Sequence, residues 1–184
     1  MKNSIQSIGI LFLFSLFSFT IAAQEHTKQS NIQWLDYPAS LEQLFHNFKG
    51  KVIYIDIMAS WCKPCCAELE EYEKTNDFFN KNDIVRLFIS IDSPEDCKKG
   101  FLRLDKYNIK GYFTTYHCPD GNEKNKFTSE VEKLFATYDE NGNFSGLSIP
   151  QFIIVNKEGV IVEYKAKRPS KPEELKQQLE KYLQ

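Results

Sequence analysis

Phe48 to Cys65 reads FKGKVIYIDIMASWCKPC, and most of the chain's organisation can be worked outward from it. From Lys51 to Ala59 the run KVIYIDIMA is almost continuously apolar, which suits a central strand covered on both faces. Its one interruption is Asp56. After Ser60 and Trp61, the segment from Pro64 to about Asn80 is expected to be helical, with Leu69, Tyr72, Phe78 and Phe79 partly periodic. The unpaired N–H groups of a helix start carry a partial positive charge that stabilises a thiolate. Cys62 falls there and is expected to be the exposed nucleophile. Lys63 adds a cation beside it, and Pro64 fits a first turn that needs no N–H donor. Cys65 lies one turn in, placed to attack a mixed disulfide formed by Cys62.

On either side of this stretch helices alternate with strands. Ser40 to Phe48 carries Leu41, Leu44, Phe45 and Phe48 at helical spacing, and Gly50 ends it. A second apolar strand runs from Ile84 to Ile91. Ser93 and Pro94 resemble the N-cap and first residue of a helix reaching about Tyr107. Gln151 to Val155 and Val160 to Tyr164 form two strands about the turn Asn156 to Gly159, a hairpin pattern. Ser170 and Pro172 open a last amphipathic helix to about Leu183. This order predicts an α/β domain with a central mixed sheet flanked by helices. Residues 111 to 147 read less clearly. They hold a helix near Thr128 to Ala136 and a turn-rich stretch from Asp139 to Gly146, so the segment is either a partner-binding surface or a solvated insertion. Asn143-Phe144-Ser145 matches a glycosylation acceptor, a triplet common by chance.

Composition narrows the classes. The chain has 184 residues, 42% hydrophobic, 14% aromatic and 26% charged, as in a globular protein. A net charge of -2 gives no basic excess for nucleic-acid binding. A mean hydropathy of -0.44 excludes a polytopic membrane protein. Residues 1–23 are expected to be a signal peptide: Lys2, then the apolar core Ile8 to Ile21, then Ala22 and Ala23. An uncleaved membrane anchor is the rival reading. The domain then spans residues 24–184. Five cysteines are too few for a disulfide scaffold, and an odd number leaves at least one unpaired within the chain. Cys97 and Cys118 either pair or are free. Cys66 is turned about 100° from Cys65 around the helix, away from the pair. Zinc would need four ligands and there is no second C-x-x-C; covalent haem needs a His where Cys66 stands. No cofactor beyond the Cys62–Cys65 pair is expected.

WCKPC following YIDIMAS resembles the active site of the thioredoxin superfamily, and within it the exported TlpA/ResA-like thiol-disulfide oxidoreductases. The resemblance covers roughly Ser40 to Leu183. It includes Ile149-Pro150-Gln151-Phe152 and the lead-in Ala166-Lys167-Arg168-Pro169-Ser170, the latter similar to TlpA-like proteins of the Bacteroidetes group. It implies that Pro150 is cis and faces the two cysteines, shaping a substrate groove in which the Ile149 backbone pairs with an extended partner segment. Trp61, Lys63 and Pro64 would border that groove. It also implies that Asp56, a carboxylate costly in a core strand, assists proton transfer at Cys65. Burial would then raise its pKa toward the range of a general base, unless Asp56 faces a polar sheet edge. A Glu at the place of Glu68 modulates the thiols in ResA-like proteins; the alternative is a solvated helix residue. Glu70 stands where the family often has a proline, which puts the helix kink in doubt. Met58 replaces a tryptophan common in thioredoxin.

The resemblance implies a monomeric exported enzyme, periplasmic or tethered to the inner membrane, that reduces disulfides in extracytoplasmic proteins. Its electrons would come from a membrane thiol donor of the CcdA/DsbD kind. Apocytochrome c thiols and misoxidised exported proteins are substrate classes of such relatives. A disulfide oxidase or isomerase is the alternative of opposite sense, and a thioredoxin-like metallochaperone or binding module without turnover the alternative of a different class.

Overall fold

The computed structural model describes residues 30–107, 109–117 and 125–184. The expected signal peptide and Cys118 lie outside the described residues. β2 (Ile53–Met58) is buried along its whole length, as its apolar pattern, interrupted only at Asp56, predicts. It pairs in parallel with β3 (Val85–Ser90) and antiparallel with β7 (Gln151–Val155). β4 (Gly111–Thr115) adds to β3 and β1 (Ile32–Trp34) to β4, both in parallel, while β8 (Ile161–Glu163) closes the other edge antiparallel to β7. The six strands run β1-β4-β3-β2-β7-β8, a central mixed sheet.

Strand periodicity sorts the core into two layers. Asp56, Phe88 and Phe113 are in register across β2, β3 and β4, so they share one face. Tyr54 of that face meets the rings of Tyr72, Phe79 and Phe152. These contacts bring α2 (Lys63–Glu71), the 3₁₀ turn Tyr72–Thr75 and α3 (Asn76–Lys81) over it. α4 (Cys97–Lys106) joins them through Phe101 against Phe113, and α6 (Pro172–Glu180) packs nearby with Leu175 and Leu179 buried. The opposite face takes α1 (Leu41–His46), which is followed by Phe48 against Tyr112. α5 (Lys126–Phe135) joins α1, with Glu130 accepting the Leu41 N–H at 2.8 Å.

The helix expected from Pro64 to Asn80 is broken at Tyr72–Thr75. The Thr75 hydroxyl donates to the Tyr72 carbonyl at 2.8 Å, a local bond that tightens the chain and turns Tyr72 inward. A break therefore exists without a proline at position 70. The helix expected from Ser93 starts at Cys97 instead, because Ser93 and Pro94 form a turn whose Ser93 carbonyl accepts from Asp96 and Cys97. β1 and β4 went unread in the sequence: each is short, and β4 opens on a glycine. Gly111 is needed for close packing, since a Cβ there would stand 2.8 Å from the Arg86 carbonyl of β3. The segment 111–147 is thus not one insertion. β4 and α5 belong to the core, and β5 (Ala136–Tyr138) with β6 (Phe144–Leu147) makes a separate two-stranded hairpin.

Candidate active site

Cys62 is the N-cap of α2: its Sγ accepts from the Cys65 N–H at 3.2 Å. Lys63 and Pro64 fill the first turn and are exposed, as is Trp61 before them. Cys62 and Cys65 form a disulfide, with Cα atoms 5.2 Å apart. The expectation of an exposed nucleophile needs correction. Cys62 is only 5% exposed, against 1% for Cys65, and its N–H donates to the Ala59 carbonyl at 3.1 Å, closing the turn out of β2. The Trp61 ring just before it is 58% exposed. Cys66 is a free thiol turned from the pair, with its Sγ 3.7 Å from the Ser60 carbonyl.

The approach to the cysteines is held by Asp92, a residue sequence reasoning missed. It is fully buried and accepts from the Ser60 N–H at 2.9 Å and from the hydroxyls of Ser60 at 2.8 Å and Ser90 at 2.6 Å. The turn from β2 into Trp61 is thereby tied to the end of β3. Only the polarity of Ser-Ile-Asp just past an apolar strand hinted at this in the sequence.

Asp56 lies in the middle strand of the sheet, 1% exposed, so it faces no polar edge. The Tyr72 hydroxyl donates to its Oδ2 at 2.8 Å, and its Oδ1 has no hydrogen-bond partner. Burial pushes the Asp56 pKa from 3.8 up to about 7; the Tyr72 hydrogen bond opposes this, and the nearby Glu68 charge adds to it. Burial also holds the Tyr54 and Tyr72 phenols well above their ordinary range, so both stay protonated donors. Arg86, buried against the Phe79 ring at 4.0 Å, is brought down to about 10 by burial.

Glu68 is neither solvated nor free. It is 7% exposed, accepts from the Ser170 N–H at 2.9 Å and its hydroxyl at 3.0 Å, and meets the Arg168 guanidinium at 3.6 Å. It fastens α2 to the segment before α6. Across the sheet, the Ile149–Pro150 bond is cis and Pro150 is buried. Gln151 pairs with Ile57, so Pro150 stands at the end of the sheet where β2 leads to the cysteines. Trp61, Tyr116, Phe135, Phe144 and Leu147 line a hollow of about 240 Å³ beside that end, with the β5–β6 hairpin as its outer wall. A larger hollow of about 430 Å³, between α1 and Gly159–Ile161, contains none of the predicted site residues. Among the described residues no group of three or more His, Cys, Asp or Glu side chains is placed to hold a metal ion, and no helix is long and apolar enough to cross a membrane.

A central mixed sheet with a C-x-x-C disulfide at the helix following its middle strand, and a cis-proline at the same sheet end, defines a thioredoxin-like protein. The Redoxin family profile matches residues 39–181, and the chain belongs to that family. It is similar to the thiol-disulfide oxidoreductase ResA of Bacillus thuringiensis subsp. konkukian, 22% identical over 137 residues, 74% of this chain and 64% of that protein. It also matches a protein disulfide-isomerase of Ricinus communis, 29% identical over 106 residues, 56% of this chain and 20% of that one. The chain thus spans less than two thirds of these curated relatives. A crystal structure from Bacteroides vulgatus, of a protein assigned as a thiol-disulfide oxidoreductase, superposes with a TM-score of 0.52. It is 29% identical and covers 74% of this chain and 81% of that one.

Proposed function

We propose that this chain is an exported thiol-disulfide oxidoreductase that reduces disulfides in extracytoplasmic proteins. The single observation carrying the reading is the Cys62–Cys65 disulfide at the N-terminus of α2, with a buried carboxyl, Asp56, in the strand β2 that leads into it. In the reduced pair, the Cys62 thiolate attacks one sulfur of a substrate disulfide and expels the other as a thiolate. Cys65, deprotonated by Asp56, then attacks Cys62 Sγ. The substrate leaves as a dithiol and the enzyme holds the disulfide, so two electrons pass to the substrate. A second dithiol must restore Cys62 and Cys65, and for an exported enzyme a membrane thiol donor of the CcdA/DsbD kind is the fitting source. Misoxidised exported proteins and apocytochrome c are the proposed substrates. Export rests on the apolar segment Ile8 to Ile21, and the relatives named ResA support a TlpA/ResA-like role.

The test is the reduction potential of the pair, by equilibration with glutathione and dithiothreitol buffers. A value of roughly -270 mV or lower supports the reductase reading. A value nearer roughly -120 mV makes the protein an oxidant and moves the search to folding substrates.

A further inference from the structure

We propose that Tyr72 is a positioning residue for the redox site: its hydroxyl sets how readily Asp56 takes and releases the proton exchanged with Cys65. The proposal rests on Asp56 serving as that base. Three observations carry it. The Tyr72 hydroxyl donates to Asp56 Oδ2 at 2.8 Å, and Oδ1 has no partner, so this is the one hydrogen bond the carboxyl receives. Tyr72 and Asp56 are both buried, at 0% and 1% exposure, so the hydroxyl and the carboxyl meet inside the core. The 3₁₀ turn that breaks the helix at Tyr72–Thr75 turns the phenol toward the sheet at this point.

Several charged or titratable groups among the described residues bear on this carboxyl or its neighbours. Glu68 of α2 raises its proton affinity and the Tyr72 hydrogen bond lowers it. Tyr54 of β2, Arg86 of β3 and Arg168 before α6 couple to the same cluster, with both guanidiniums favouring negative charge there. Arg86 stands 5.7 Å from the Tyr72 ring and makes no hydrogen bond to Asp56. Tyr72 is therefore the only direct donor. A phenol that stays protonated gives a hydrogen bond that strengthens when the carboxyl ionises and weakens when it accepts a proton. That difference sets the protonation midpoint of Asp56, and with it the pH at which Cys65 can be deprotonated.

Tyr72→Phe keeps the ring and removes the donor. In the oxidised protein, where neither site cysteine titrates, the Asp56 carboxyl carbon can be followed by NMR, with Asp56→Asn identifying the signal. The midpoint should rise by roughly one to two pH units. In the reduced protein the resolution of a Cys62 mixed disulfide should slow roughly five- to fifty-fold at pH 7 and recover as pH rises by the same interval. An unmoved midpoint would overturn the role of Tyr72 and leave Asp56 as the base. A midpoint that moves while resolution keeps its pH profile would remove Asp56 from the proton transfer, and Tyr72 with it.

Discussion

Replacing Asp56 with Asn should change the pH dependence of stability in a direction unusual for an aspartate. Unfolded, the side chain ionises near 3.8; folded, burial lifts it to about 7. The gap of about three pH units corresponds to about 4 kcal/mol. Below 3.8 both states carry the proton and Asp56 imposes no charge penalty. As pH rises from 3.8 to 7, the unfolded chain gives up its proton while the folded protein retains it, so stability falls. Above 7 both states are ionised and the penalty stays constant at its full size. Asn does not titrate, so the stability of the variant relative to the parent should rise by about 4 kcal/mol between pH 4 and pH 8. Asn also brings two N–H donors to a carboxyl position whose Oδ1 finds no partner, at a pH-independent cost of about 1–3 kcal/mol.

The two effects together predict a change of sign. The variant should be slightly less stable than the parent at pH 4 and clearly more stable at pH 8. Urea unfolding of the oxidised proteins at both pH values, followed by tryptophan fluorescence, reads this as crossing midpoints with unchanged slopes. Groups shared by both proteins cancel in the comparison. An equal difference at the two pH values would refute the elevated proton affinity of Asp56 and the buried position from which it follows.

Two further substitutions probe the same site from other directions. Cys65→Ser should leave Cys62 able to attack but unable to be released, so mixed disulfides with partner proteins should accumulate on non-reducing gels; recovering none would argue against the two-step exchange. Glu68→Gln removes the charge that raises the Asp56 pKa, so the resolution profile should move to lower pH, opposite to Tyr72→Phe. Because Ser170 and Arg168 lose their carboxylate partner, the protein should also lose about 1–3 kcal/mol in urea unfolding.

The residues that the sequence could reveal are those whose signal is local. A buried strand ending in a C-x-x-C at a helix start is contained in eighteen consecutive residues, so Cys62, Cys65, Trp61, Lys63 and Pro64 could be placed by spacing. Asp56 was visible because a carboxylate breaks an apolar run. The groups that decide its chemistry were not visible. Tyr72 looked like one more apolar position of an amphipathic helix, and only the 3₁₀ break turns its hydroxyl onto a carboxyl 16 positions away. Ser170 lies 102 positions from Glu68, and Asp92 lies 32 from Ser60; no periodicity reports such pairings. The short strands β1 and β4 were lost for a related reason. Their strand character comes from neighbours that already form a sheet, not from their own length or alternation.

The same distinction separates what holds the fold from what tunes the site. Aliphatic and aromatic side chains on β2, β3 and β7 would pack this sheet with any apolar residue at position 56. A carboxyl there costs a large share of the 5–15 kcal/mol by which domains are ordinarily stable. The fold lowers that cost with one hydroxyl from Tyr72 while leaving Oδ1 without a hydrogen-bond partner. A second donor would stabilise the ionised form further and draw its pKa back toward 3.8, where a carboxylate is too weak a base to deprotonate a thiol. Complete satisfaction of the hydrogen-bonding groups would thus favour stability over proton transfer. With the single hydrogen bond the Asp56 pKa stays at about 7, the range that the proposed proton exchange with Cys65 requires.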